Sequence, residues 1–109
     1  MAAPHTGAEW LSLARLYRTE KRASDAYRAY GQAVSRGNLV EAASGELGMA
    51  EMAYAMQQYA SSVDHARRAL ELGAPATRSW RIMAEAYCRL GHGRAAWDAY
   101  TRAGGGMCK

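Results

Sequence analysis

At 109 residues, half of them apolar, the chain is long enough for one domain with its own core, and no alternating Val/Ile/Thr run offers a β-sheet. No apolar stretch approaches the ~18 residues of a membrane span. The opening MAAPHTGAEW has neither the basic nor the apolar region of a secretory signal, so the expected location is the cytoplasm.

In chain order, Thr6 caps a first helix, with Glu9 completing a capping box and Trp10, Leu13, Ala14, Leu16 and Tyr17 recurring at helical spacing. A second helix is predicted from Ala23 or Ser24 to about Arg36, where Gly37 supplies a left-handed terminal residue. Asn38 and Glu41 form another capping pair ahead of a third helix, roughly residues 39–56. Gly45 and Gly48 lie inside that helix, and each lowers its stability by ~1 kcal/mol relative to Ala. The fourth helix, near 59–72, stops at Gly73; Pro75 suits the first turn of the fifth. Gly91 and Gly93 turn the chain into a sixth, ending about Arg102. Residues 1–6 and 104–109 are read as flexible, the latter because Gly104-Gly105-Gly106 cannot hold a helix.

The helix pairs repeat. Trp10 aligns with Trp80, Ala14 with Ala84, Tyr17 with Tyr87, Ala26 with Ala96, Tyr30 with Tyr100 and Ala33 with Ala103. This offset is about twice a period of ~34–35 residues, the length of one helix-turn-helix unit. A weaker middle copy carries Met49, Ala50, Tyr59, Ala66, Ala69 and Leu70, with Glu46 where the others have Trp and Ser62 where they have Ala. One domain, residues 7–103, thus divides into units of about 7–38, 39–74 and 75–103.

These residues resemble the tetratricopeptide repeat family. Its pattern of Trp, Leu, Gly or Ala and Tyr on one helix, then small, aromatic and small residues on the next, is met by Trp10, Leu13, Ala14, Tyr17, Ala26, Tyr30 and Ala33. Trp80, Met83, Ala84, Tyr87, Ala96, Tyr100 and Ala103 meet it again. The resemblance implies an all-α superhelix of six helices whose first helices line a concave groove. It also implies a non-enzymatic protein-binding module, an adaptor or scaffold. The chaperone clamp of the family, built on Lys, Asn and Arg, is not matched: its positions read Leu11, Arg15, Gly48, Arg78 and Ile82.

Opposite the packing stripe, the groove positions are Leu11, Arg15, Arg18, Leu47, Glu51, Tyr54, Arg78, Arg81, Glu85 and Arg89. Arginines that grip carboxylates in pairs, beside a patch of Leu11, Leu47 and Tyr54, suit a peptide with acidic and apolar side chains. No capping helix follows the sixth, so Met83, Tyr87, Trp97 and Tyr100 are expected to leave an open apolar surface favouring a homodimer.

Other classes fit less well. No phosphate loop, nucleophile elbow or metal pair occurs, no cofactor is implied, and His65 beside Asp64 reads as an exposed helix pair. Cys88 and His92 fall short of the four ligands of a structural zinc site. Cys88 is expected as a buried thiol and Cys108 as an exposed one, a disulfide between them being disfavoured in a reducing compartment. The net charge of +4 allows a nucleic-acid partner, but acids are interleaved with the basic residues. A bacterial type III secretion chaperone is the alternative protein-binding reading, although such chaperones add an N-terminal helix and are acidic.

Overall fold

The computed structural model describes residues 4–109, and among these residues every regular element is a helix. They are α1 (Gly7–Thr19), α2 (Ala23–Arg36), α3 (Leu39–Ala55), α4 (Tyr59–Glu71), α5 (Ala76–Leu90) and α6 (Gly93–Arg102). Both predicted capping boxes form: the Thr6 hydroxyl accepts from Glu9 N at 3.1 Å and the Asn38 side chain from Glu41 N at 2.9 Å. Pro75 stands one residue before α5, where its carbonyl accepts from Ser79 N. Residues 1–3 of the stretch expected to be flexible lie outside the described residues. His5 and Thr6 are held, since both backbone N–H groups donate to the Glu9 carboxylate.

The repeat is written into the backbone at the turns. Lys21 (φ 61°), Gln57 (φ 63°) and Gly91 (φ 78°) each take the left-handed conformation after the first helix of a pair. At each turn the following amide bonds back to the same relative carbonyl: Arg22 to Tyr17, Gln58 to Ala53 and His92 to Tyr87. This is a Schellman-type closure, and two of the three are made without glycine. The next residue then starts the second helix from nearly one geometry, φ/ψ −97°/73° at Arg22, −95°/72° at Gln58 and −93°/71° at His92. Gly37 does not take the left-handed role expected of it; its φ is −90°. Its place is steric: a Cβ on Gly37 would meet the Ala33 carbonyl and the Glu41 Cβ, each at 2.6 Å, while a Cβ on Gly7 of α1 would meet the Gly37 backbone.

Each helix packs on the next, and α1, α3 and α5 also lie side by side. Among the described residues α2, α4 and α6 come within 8 Å of no other even-numbered helix along the backbone. The odd layer is therefore the more closely spaced, and the stack, 46 × 25 × 18 Å, bends toward it. Small residues set the approach. Ala14, Ala50 and Ala84 are fully buried, as are Ala26, Ser62 and Ala96 at the next repeated position. Ser62 satisfies its hydroxyl by donating to the Ala50 carbonyl at 2.8 Å.

The glycines of α3 also work by contact. The Tyr30 ring of α2 lies flat on Gly48, so a Cβ there would fall within the ring's own volume; at Gly45 it would meet Val34 and the Tyr30 carbonyl. Their lower helix propensity is exchanged for a seat that lets α2 and α3 close on a buried aromatic.

Two outcomes follow from this packing. Gly48→Ala is expected to lower stability by about 1–3 kcal/mol in urea denaturation, overpacking outweighing the ~1 kcal/mol of helix propensity gained. The Glu9 carboxyl is held below its ordinary 4.5 by the Thr6 hydroxyl first and then by the backbone N–H groups of Thr6 and His5. A depressed folded value means the cap is fully effective above 4.5 and is lost as pH falls through the folded value. Hydrogen-exchange protection in the first turn of α1 should therefore fall on acidification below that point, and should not do so in Glu9→Gln.

Candidate partner-binding face

The face of the odd helices centres on Glu51 of α3. Its carboxylate accepts from Arg18 of α1 at 2.7 Å and from Arg78 of α5 at 3.0 Å. Helical register makes this possible: three parallel helices present one residue each at similar height, and only the middle one is acidic. Beside this bridge, Arg18, Glu51, Met52, Tyr54, Ile82 and Glu85 line a cavity of about 320 Å³. Arg89 donates to the Tyr54 hydroxyl at 3.2 Å, tying α5 to α3 at the lower rim.

Not all the predicted groove residues reach this face. Leu11 and Leu47 are buried, at 6% and 4% exposure, so the expected apolar patch is core. Leu11 packs with Ala14, Tyr30 and Ala33, and Leu47 with Ala43, Ala69 and Ala74. The helix is wound tightly enough between its neighbours that a stripe one step off the main packing line is also covered. Arg15 is exposed and lines neither this cavity nor the larger one bounded by residues 105–109.

Past α6 the chain folds back across the same face. Cys88 of α5 and Cys108 are joined by a disulfide, Cα–Cα 5.5 Å, which corrects the expectation of two separate thiols and of a free tail. Residues 105–109 line one side of a larger cavity, about 870 Å³, with Tyr54, Arg81, Glu85, Arg89 and Tyr100 on the other. Gly106, at φ 134°, lies against the Tyr100 ring, where a Cβ would come within 2.7 Å of Cδ1. Burial first, and then the charge of Glu85, push the Tyr100 hydroxyl above its ordinary 10.0.

The surface expected to be open is largely covered, by the core around Met83, by Arg67 over Tyr87 and by the tail over Tyr100. Met83 is buried at 2%, Tyr87 is half-buried and bonded by Arg67 at 2.9 Å, and Tyr100 is half-buried with Gly106 against its ring. Of the four residues expected there, Trp97 alone is exposed, at 67%.

One polar cluster escaped the sequence reading. His65 is buried rather than paired with Asp64, which lies 3.8 Å from Arg67. Its Nδ1 donates to Glu46 at 2.7 Å, and in the neutral ring Nε2 accepts from the Tyr27 hydroxyl at 2.8 Å. Glu46 occupies the position that holds Trp in the flanking units, so the middle unit replaces an aromatic plug by a hydrogen-bonded chain from α3 through α4 to α2. A signal was present: Ser62, His65, Ala66 and Ala69 share one helical stripe, and a carboxylate at a core position requires a partner.

Compared with known proteins, the chain matches no family model. No curated protein matches it.

Glu46→Ala and Tyr27→Phe are each expected to lower stability by about 1–3 kcal/mol, because each strands a buried polar group on His65. The double variant should lose less than the sum, both acting through one imidazole. Strictly additive losses in chemical denaturation would show that the three side chains do not act as a unit.

Proposed function

We propose that the chain is a protein-binding module of the tetratricopeptide repeat kind, taking a peptide segment with acidic and apolar side chains across α1, α3 and α5. The observation that carries this reading is the Arg18–Glu51–Arg78 bridge, in which two guanidiniums from flanking helices already hold one carboxylate on the concave face. A partner's Asp or Glu makes the same bonds, and Tyr54 and Ile82 beside it offer apolar area. The pairing also sets a limit on affinity, because the partner must compete with Glu51.

A second reading rests on Trp97. A side chain that large, exposed on the last helix, favours self-association through the end of the stack. Sedimentation velocity at micromolar concentration separates a dimer from a monomer, and Trp97→Ala should shift a dimer to monomer.

For the peptide reading, fluorescence anisotropy with a labelled peptide of alternating acidic residues and leucines is the direct test. Glu51→Gln is expected to tighten binding by about tenfold, since the competing carboxylate is removed, and Arg18→Ala with Arg78→Ala to abolish it. In a pull-down from the native cell, Tyr54→Ala with Arg81→Glu should lose the partner. Equal recovery by the variant and the parent chain would exclude this face as the site.

A further inference from the structure

The two halves of the concave face differ. The half around Glu51 is formed by helices alone, whereas the half around Arg81, Glu85 and Arg89 has the chain's own residues 105–109 as one of its walls. Those residues lie there for two reasons. The 10-residue α6 carries the chain back along α5 by ~15 Å, to the level where Arg81 donates to the Ala103 carbonyl at 3.4 Å. From there the five residues to Cys108 can span at most ~17 Å, enough to return down α5 to Cys88.

The seat this segment uses is one the repeat provides. Tyr30 and Tyr100 are equivalent positions, and each is met by a glycine: Tyr30 of α2 by Gly48 of α3, Tyr100 of α6 by Gly106. What α3 does for the first pair, the tail does for the last. Its attachment is different in kind, however. Residues 104–109 form no helix, and Gly104, Gly105 and Gly106 all have positive φ. Residues 106–109 make none of the hydrogen bonds found among the described residues. The disulfide is the one covalent hold on a segment with little else to keep it in place.

We propose that the Cys88–Cys108 disulfide is a redox latch, which holds the tail as a wall that narrows access to Arg81, Glu85, Arg89 and Tyr100 and releases it on reduction. The regulatory consequence, that release opens this half of the face to the acidic, apolar peptide, rests on the function proposed above. The reductant is a dithiol. One of its thiolates attacks Sγ of Cys108, which belongs to the more exposed residue of the pair, forming a mixed disulfide and expelling the Cys88 thiolate. Its second thiol then attacks the reductant sulfur of that bond, closing a cyclic disulfide and releasing the Cys108 thiolate. The two protons lost by the dithiol end on Cys88 and Cys108, so two electrons and two protons pass from reductant to protein. Until that exchange, a partner meets only the fraction of molecules whose tail is lifted, and apparent affinity falls in proportion.

The test uses the whole chain in oxidised form, the same chain treated with dithiothreitol, and Cys108→Ser, with far-UV circular dichroism checking that all three are folded. Thiol titration of the oxidised chain should find no free thiol; two free thiols after incubation with oxidised glutathione would overturn the latch. In NMR spectra, the Gly106 α-protons are expected to be displaced by the Tyr100 ring current in the oxidised chain only. A displacement that persists in the reduced chain and in Cys108→Ser would overturn tail release. The labelled acidic-leucine peptide should bind the reduced chain and Cys108→Ser about tenfold or more tighter than the oxidised chain. Equal affinity in both forms would sink the regulation and leave the groove reading intact. Binding in neither form, with the Gly106 displacement lost on reduction, would sink the groove reading and support the latch.

Discussion

Everything in this molecule depends on how closely neighbouring helices approach, and that is set by side chains of one carbon or none. Ala14, Ala50 and Ala84, with Ala26, Ser62 and Ala96, bring each helix near enough to its partner that the larger side chains fill what remains. Where one more carbon would be too many, glycine stands: Gly48 beneath Tyr30, Gly45 beneath Val34, Gly7 against Gly37. A stack held at so short a distance has little tolerance for added volume, because protein interiors are packed at crystal-like density.

Close approach in the odd layer and none between backbones in the even layer produce the bend, and the bend gives the concave face its chemistry. Helices that converge bring Arg18, Glu51 and Arg78 to one point. The same convergence covers Leu11 and Leu47, turning what would be an apolar groove floor into core. The face is consequently polar and aromatic, with its arginines partly neutralised from within. On the diverging side the gap between α2 and α4 is bridged by the longer reach of Tyr27 to His65, with Glu46 behind it.

The last pair of helices extends the same logic with different material. A ring at the Tyr30/Tyr100 position needs a backbone without a side chain laid over it; α3 brings Gly48 and the tail brings Gly106. Helix α3 is held by its neighbours on both sides, while the tail has a single covalent tie to α5. Cover at one end of the stack is thereby separable from the fold itself.

Helix number, helix limits and the repeat were readable from residues alone, because each is a local property. Capping boxes at Thr6 and Asn38, the stop at Gly91 and the 3.6-residue spacing of small and aromatic side chains act within a few positions along the chain. Glu51 with Tyr54 on α3, and Arg78 with Glu85 on α5, were also legible as one face of their own helix, since helical register puts each pair there. Whether a stripe beside that face is open or covered was not, and Leu11, Leu47 and Met83 fell on the covered side, because that depends on the spacing of the odd helices. His65 was read with its sequence neighbour Asp64 when its partners lie 19 and 38 positions away. Cys88 and Cys108 meet only because α6 reverses the chain by its own length, a distance that no local pattern encodes. Local residue patterns were enough for the helices and their repetition; which side chains meet across them was settled only by packing, because those meetings depend on interhelical distances that every packed residue sets together.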